Sequence, residues 1–260
     1  MKKLFKAGLA VLTVFFLAGC GQKQEKQEKK KEPVVTLCKL SGIKLSVKAA
    51  NFTEADVAKQ ADSVLKSNGA DVTYSRLTDA YCKEHFKSSM NLKSKQAVHE
   101  YAKLLLRRSS ARKLVKAKNE AMEEYLLKNC KVSFVPEELV EKEKDKVQKS
   151  YALFASLEKK PLSEYAKTQG YASLEDFRQK TNAEAPKRAK LDLIEDAVVI
   201  KKNIKVSRDE MEQLARSYKK AGIPPKKLYD CYGGQAAFAA SCRRARALQK
   251  LVDDAEFEEV

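Results

Sequence analysis

Hydrophobic residues recur every three or four positions along most of this chain, the spacing of one face of an α-helix. The longest such stretch runs from residue 95 to 129 without Pro or Gly, and it predicts a helix of roughly 50 Å. A bend or break is expected at Ser109 and Ser110, whose hydroxyls compete for backbone hydrogen bonds. Further helices are predicted over residues 162–169, 174–181, 187–202, 208–220 and 235–252.

Three helix starts share one sequence device. A hydroxyl residue stands three positions before a carboxylate at Thr53/Asp56, Ser173/Asp176 and Ser207/Glu210. This spacing is typical of a capping box, in which each side chain accepts a hydrogen bond from the backbone of the other residue. We therefore expect helices to begin directly after Thr53, Ser173 and Ser207.

Partial alternation of apolar and polar residues marks two other segments, 34–47 and 131–135. Alternation with period two is the pattern of a strand, so short strands are expected in both. The chain has no Trp, nine Gly and six Pro. Together with the helical periodicity, this composition predicts a mainly α-helical protein with a few short strands.

The first residues form a separate region. A basic start is followed by about a dozen apolar residues and then by Leu17-Ala18-Gly19-Cys20, which predicts a lipoprotein signal peptide over residues 1–19 with Cys20 as the lipid-bearing residue. A permanent membrane helix is the weaker alternative, because the run is short of the roughly 20 residues that a bilayer needs. Residues 20–33 read as a charged tether, and the folded part is expected over 34–260.

The formal net charge is +17. Removal of the three leader lysines leaves +14, and about +12 belongs to the expected folded part. Such a field favours anionic partners such as phospholipid headgroups, wall polymers or acidic unfolded chains. Nucleic acid is not expected, because the basic residues are interspersed with Asp and Glu and form no recognisable reading module.

Several motifs, taken in order, resemble one known family. The segment from Cys130 to Val140 reads CKVSFVPEELV, and the motifs after it are Gln169-Gly170, Ser173-Leu174-Glu175-Asp176-Phe177, Ala189-Lys190-Leu191 through Ile194, and Ile204 to Met211. With Leu40-Ser41-Gly42-Ile43 upstream, they resemble the C-terminal chaperone domain of bacterial trigger factor over roughly residues 38–257. The exported chaperone SurA has a similar helical architecture. No ribosome-docking domain or isomerase domain is recognisable.

The resemblance implies a multi-helix body with arms around a cleft, in which clients bind by many weak apolar contacts without nucleotide. The chain also lacks a P-loop motif, and no cofactor is expected. The function hypothesis is therefore an ATP-independent holdase or folding factor, lipid-anchored on the outer face of the cell membrane, for newly exported unfolded proteins. The alternatives are a surface lipoprotein that binds wall polymers or lipid, and a retained prolyl isomerase role without a recognisable module.

Client contact is assigned to apolar and aromatic residues after residue 150. An apolar patch on a charged protein usually marks binding, whereas a core position is the competing interpretation for each residue. The candidates are Tyr151, Leu153, Phe154, Leu157, Tyr165, Tyr171, Phe177, Tyr218 and Tyr229.

Cysteine and histidine give little indication of chemistry. Cys82 and His85 share a predicted helical face, but two ligands are too few for zinc, and no metal site or catalytic residue is assigned. Five cysteines follow Cys20, so an exported location permits disulfides but leaves at least one thiol unpaired. Cys231 and Cys242 are the pair expected if a disulfide forms, and five unpaired core thiols are the slightly preferred interpretation.

Overall fold

The computed structural model describes residues 32–86, 92–220 and 222–260. The helices there are α1 (Glu54–Ser67), α2 (Asp79–His85), α3 (Lys95–Asn129), α4 (Glu137–Leu157), α5 (Leu162–Thr168), α6 (Leu174–Lys201), α7 (Arg208–Lys220), α8 (Pro225–Tyr232) and α9 (Gln235–Asp253). The strands are β1 (Val35–Thr36), β2 (Lys44–Val47), β3 (Lys131–Val132) and β4 (Glu256–Glu259). The mainly α class is confirmed. The expected leader, Cys20 and the tether up to residue 31 lie outside the described residues.

The three expected helix starts are confirmed, each by its own hydrogen bonds. Thr53 Oγ1 accepts from the Asp56 N–H at 3.3 Å, and the Asp56 carboxylate accepts from the Thr53 N–H at 2.9 Å. Ser207 and Glu210 exchange the same pair of bonds at 3.2 and 2.8 Å. At α6 the Asp176 carboxylate instead accepts from the N–H one residue before the cap, at 2.9 Å.

Proline explains two differences from the predicted elements. Residues 174–201 form the single helix α6 with Pro186 inside it, where two helices were expected. Pro186 removes one hydrogen bond within the helix, but Ala185 and Ala189 on either side of it are buried against α4, so packing keeps the helix continuous. Helix α8 was not predicted from the sequence; Pro225 stands in its first turn, a position that the fixed φ of proline suits. At Ser109 and Ser110, α3 continues unbroken.

The described chain divides into two compact units. Unit 2 comprises Lys44–Ala121 and Glu256–Val260. Most of its buried residues form one apolar cluster, built from α1, α2, the first turns of α3 and the segments between them, with Leu65, Val57 and Val98 fully buried. Strand β4, which was not predicted, pairs parallel with β2 from Lys44↔Glu256 to Val47↔Glu259.

Among the described residues, unit 1 comprises 32–43 and Met122–Ala255. Helix α4 packs against α5, α6 and α8, and α6 packs against α9. A short antiparallel ladder pairs β1 with β3, at Val35↔Val132 and Thr36↔Lys131. Within the described ranges, no helix combines the length and the apolarity that a membrane span requires.

Candidate functional site

Helix α4 packs on two sides, and this positions the candidate site in unit 1. Tyr151 points toward α5 and α6, where its ring contacts Phe177 with centroids 4.4 Å apart. Leu153 points instead to a second cluster built around Ile223, Leu228 and Phe238. The apolar stripe of α4 is wider than one packing surface needs because the helix serves both clusters.

Four aromatic rings form the first of these clusters. The ring centroid of Tyr151 lies 5.8 Å from that of Tyr165 and 6.1 Å from that of Tyr171, and the centroids of Tyr171 and Phe177 are 5.2 Å apart. These three pairs meet edge to face. The Tyr151 and Tyr171 hydroxyls are 3.4 Å apart. Burial, with the Tyr171 hydroxyl, raises the pKa of Tyr151 to about 12. The phenol therefore stays neutral and serves as an apolar surface with a polar tip.

An open cleft of about 590 Å³ lies beside the aromatic cluster, between α4 and α6. Val147, Tyr151 and Tyr171 give it an apolar wall. The remaining lining residues come from α4 and the middle of α6: Glu143, Lys180, Thr181, Ala183, Glu184, Ala185 and Arg188. The cleft thus presents aromatic surface beside charged groups, an arrangement suited to holding amphipathic chains.

The charges at this cleft are largely paired. Lys180 lies 2.9 Å from Asp176, and its ammonium stands 5.9 Å from the Tyr171 ring centroid. Arg188 lies 3.2 Å from Glu123. Glu143, which is buried, contacts Lys146 at 2.6 Å. With its charges paired, the site offers contact area rather than a strong net field.

The structure separates the nine candidate residues into three groups. Phe177 and Tyr165 are 0% and 8% exposed, so their assignment to client contact is corrected to a core position. Leu153, Tyr218 and Tyr229 pack, half-buried, around the second cluster. Tyr151 and Tyr171 line the cleft, while Phe154 and Leu157 on α4 are 41% and 37% exposed.

The α6 side of the cleft was missed in the sequence. Ala183, Glu184 and Ala185 fall between the predicted helices 174–181 and 187–202, where no helix was expected. Pro186 cannot donate to the carbonyl of residue 182, four positions earlier. A proline flanked by good helix formers and small residues is the signal that would have placed a kinked, continuous helix there.

A buried ionic group lies between α6 and α9. Arg244 contacts both Asp192 and Asp196, the latter at 2.8 Å from Nε. Burial raises the pKa of Asp192 to about 6 despite Arg244. Burial, reinforced by the charge of Asp192, raises the pKa of Glu195 to about 8. Glu195 is therefore mostly protonated at neutral pH.

Histidine and cysteine have structural surroundings. Cys82 and His85 are three positions apart in α2, but Cys82 is buried in the unit 2 cluster while His85 is exposed and stacks on Tyr81 with ring centroids 5.0 Å apart. His99 Nδ1 lies 2.8 Å from the Tyr74 hydroxyl. Across the residues that are described, no three His, Cys, Asp or Glu side chains are grouped for a metal ion.

The expected Cys231–Cys242 disulfide is not formed, and both are free thiols. Cys231 is buried with its sulfur 3.8 Å from the Lys149 carbonyl oxygen, and Cys242 packs against the second apolar cluster. Each of the two sulfurs therefore contacts other groups of the fold and not the other cysteine.

A family comparison places the cleft in context. The family described as "Bacterial trigger factor protein (TF) C-terminus" matches residues 94–254, more than half of the chain. The chain belongs to this trigger factor C-terminus family. Every cleft residue lies inside the matched segment, whereas the upstream motifs at residues 40–57 lie outside it. Membership indicates a chaperone-type function, in which unfolded polypeptide is bound. No curated protein matches the chain as a relative.

Proposed function

We propose that this protein is an ATP-independent chaperone, anchored in the cell membrane through lipid on Cys20, that holds newly exported unfolded proteins. The observation that carries the holding activity is the cleft of about 590 Å³ with Tyr151 and Tyr171 on its wall. Phe154 and Leu157 add exposed apolar surface on the last turns of the same helix, outside the residues that line the cleft. The leader and tether of the sequence support the anchoring.

Many small apolar contacts suit this function. Each aromatic ring that a client covers contributes roughly 25 cal/mol per Å² of apolar area removed from water. The separate contacts are weak, so a client segment dissociates readily and can fold once released. Release on this scheme needs no nucleotide.

The test of holding is suppression of aggregation of a chemically unfolded model protein. Phe154→Ser should weaken suppression several-fold while leaving thermal unfolding nearly unchanged, because Phe154 is already 41% exposed. The matched control is Val115→Ser on α3, which removes an even more exposed apolar residue (54%) outside the cleft's unit and should leave suppression unchanged. Wild-type protein that fails to suppress aggregation at stoichiometric excess would refute the proposal.

Anchoring and client choice need separate experiments in cells. Cys20→Ser should move the protein from the membrane fraction to the soluble exported fraction. Crosslinking in intact cells should capture many unrelated exported proteins. Capture of cytoplasmic proteins instead would contradict export while leaving the holding activity intact.

One observation favours a second candidate, the binding of anionic wall polymers or lipid headgroups. Six basic residues lie within twelve positions of α3 with no acidic residue among them: Arg107, Arg108, Arg112, Lys113, Lys116 and Lys118. Polymer binding by this segment should fall steeply with salt. Replacing the three arginines by Gln should abolish that binding and spare aggregation suppression, which separates the two functions.

A further inference from the structure

Cys38 and Cys130 lie in contact in unit 1, at the end of the β1–β3 ladder. Their Sγ atoms are 2.7 Å apart, and the Cys38 N–H donates to Cys130 Sγ at 3.2 Å. A disulfide bond is about 2.05 Å long, so only a small movement separates these thiols from a bridge. This is the one close pair among the five described cysteines.

The backbone on both sides of the pair is held in place. The ladder pairs Val35 with Val132, and the Ser133 N–H donates to the Val34 carbonyl at 3.0 Å. On the other side, the Tyr125 hydroxyl donates to the Lys39 carbonyl at 2.9 Å. The two sulfurs are therefore brought together by fixed backbone segments rather than by chance approach of mobile side chains.

The surroundings favour thiol exchange at this pair over the other cysteines. The Cys38 thiol and N–H, together with the charges of Lys190 and Lys201, lower the pKa of Cys130 to about 7 against the effect of burial. Burial instead raises the pKa of Cys231 and Cys242. A thiolate forms near neutral pH only where the pKa is lowered, and the thiolate is the reactive form.

We propose that Cys38 and Cys130 form a disulfide bond by exchange with an external disulfide, such as that of a thiol oxidoreductase or oxidised glutathione. Cys38, the more exposed of the two, passes its proton to the adjacent Cys130 thiolate and attacks the external disulfide, which releases one thiolate. The released thiolate takes this proton from Cys130, and the Cys130 thiolate then attacks Cys38 Sγ and expels the second. Two protein thiols are oxidised, and one external disulfide is reduced to two thiols.

The bridge closes a long loop. Cys38 and Cys130 are 92 positions apart, and residues 44–121 of unit 2 lie between them in the sequence. Closing a loop of this length removes much of the conformational freedom of the unfolded chain, so the oxidised protein should be markedly more stable. The chemistry does not depend on client binding. Its persistence in the cell does rest on the proposed export, because the cytosol keeps thiols reduced.

The test uses full-length protein, reduced and then exposed to oxidised glutathione at pH 8. Alkylation, digestion without reductant and mass spectrometry should find a peptide pair joined through Cys38 and Cys130. The midpoint of thermal unfolding should rise by roughly 5–15 °C and return on addition of dithiothreitol. Recovery of Cys38 and Cys130 as alkylated thiols, or joined to other cysteines such as Cys242, would overturn the proposal.

Two variants make the stability result specific. Cys231→Ser is a matched change at another buried cysteine. It should still give the peptides linked through Cys38 and Cys130, and the midpoint of thermal unfolding should still rise on oxidation. Cys38→Ser should show neither the linked peptides nor the rise in midpoint. Its reduced form should unfold at the same temperature as the reduced wild type. A rise on oxidation that persists in Cys38→Ser would overturn the assignment. Rapid acid quenching and alkylation of cells then tests export alone: a pair that bridges in vitro but is reduced in cells contradicts export, not the bridge.

Discussion

The two units of this chain use their apolar residues differently. In unit 2, side chains from α1, α2 and α3 close around one cluster in which Val57, Leu65 and Val98 are fully buried. In unit 1, α4 divides its apolar residues between two clusters, and part of one aromatic cluster faces the cleft. Unit 2 is thus organised around a closed core, whereas unit 1 leaves aromatic surface accessible.

The units also differ in buried charge. Both carboxylates that are buried among the described residues, Glu143 and Glu195, belong to unit 1. Charged groups in such places cost free energy unless they are paired or protonated. A unit with an open cleft and buried carboxylates sacrifices stability relative to a closed apolar cluster, which is the expected compromise in a region that binds other chains.

The largest expected effect tests whether the aromatic cluster supports the cleft. Phe177→Ala should destabilise unit 1 by about 3–5 kcal/mol, because it empties a fully buried site. It should also weaken aggregation suppression, since Tyr151 and Tyr171 lose the ring against which they pack. Denaturant unfolding and segment-resolved hydrogen exchange measure the first effect, and the aggregation assay measures the second.

The matched change in unit 2 is Leu65→Ala, also at a fully buried position. It should cost about 2–5 kcal/mol but leave suppression unchanged at temperatures where the variant is folded. Equal losses of suppression in the two variants would show that client binding does not depend on the unit 1 cluster in particular.

The sequence predicted the fold best where local chemistry decides it. The hydrogen bonds at Thr53, Ser173 and Ser207 involve residues three or four apart, so the spacing was sufficient to place three helix starts. Strand β4 was not predictable in this way, because its partner β2 lies some two hundred residues earlier and its register is set by that pairing.

The candidate site was predicted only in part, for a similar reason. Helical periodicity identified Tyr151, Phe154 and Phe177 as apolar positions without telling which of them face solvent. Burial depends on the neighbouring helices: the Tyr151 ring of α4 covers Phe177, whereas Phe154 is left 41% exposed. The cysteine pairing was likewise misjudged, because Cys38 and Cys130 meet through a ladder between distant segments.

A smaller expected effect is on the pH dependence of stability. It tests the contrast between the two units in buried charge. The pKa of Glu195 is about 8 in the folded protein, against 4.5 for the ordinary group. Between these values the unfolded chain loses this proton while the folded chain keeps it, so the free energy of unfolding falls as pH rises. Glu195→Gln should therefore stabilise unit 1 by roughly 2–4 kcal/mol at pH 8, with little effect at pH 4.5.

Denaturant unfolding of both proteins at the two pH values measures this difference. Glu184→Gln is the control, because its side chain lies on the same helix but is 66% exposed. It should leave the pH dependence unchanged. A Glu195→Gln protein that is no more stable at pH 8 than the wild type would show that this carboxyl is ionised at little cost in the fold.

The smallest expected effect tests whether the two units unfold separately. Gly69 follows α1 in unit 2 with φ +73°, and Gly233 ends α8 in unit 1 with φ +83°. A Cβ at either position meets no atom within 4 Å, so Ala should cost only backbone strain, about 1 kcal/mol at each. Hydrogen exchange should quicken in unit 2 alone for Gly69→Ala and in unit 1 alone for Gly233→Ala. If either change accelerates exchange equally in both units, the two units unfold together. The stability of the cleft in unit 1 would then depend on the closed core of unit 2.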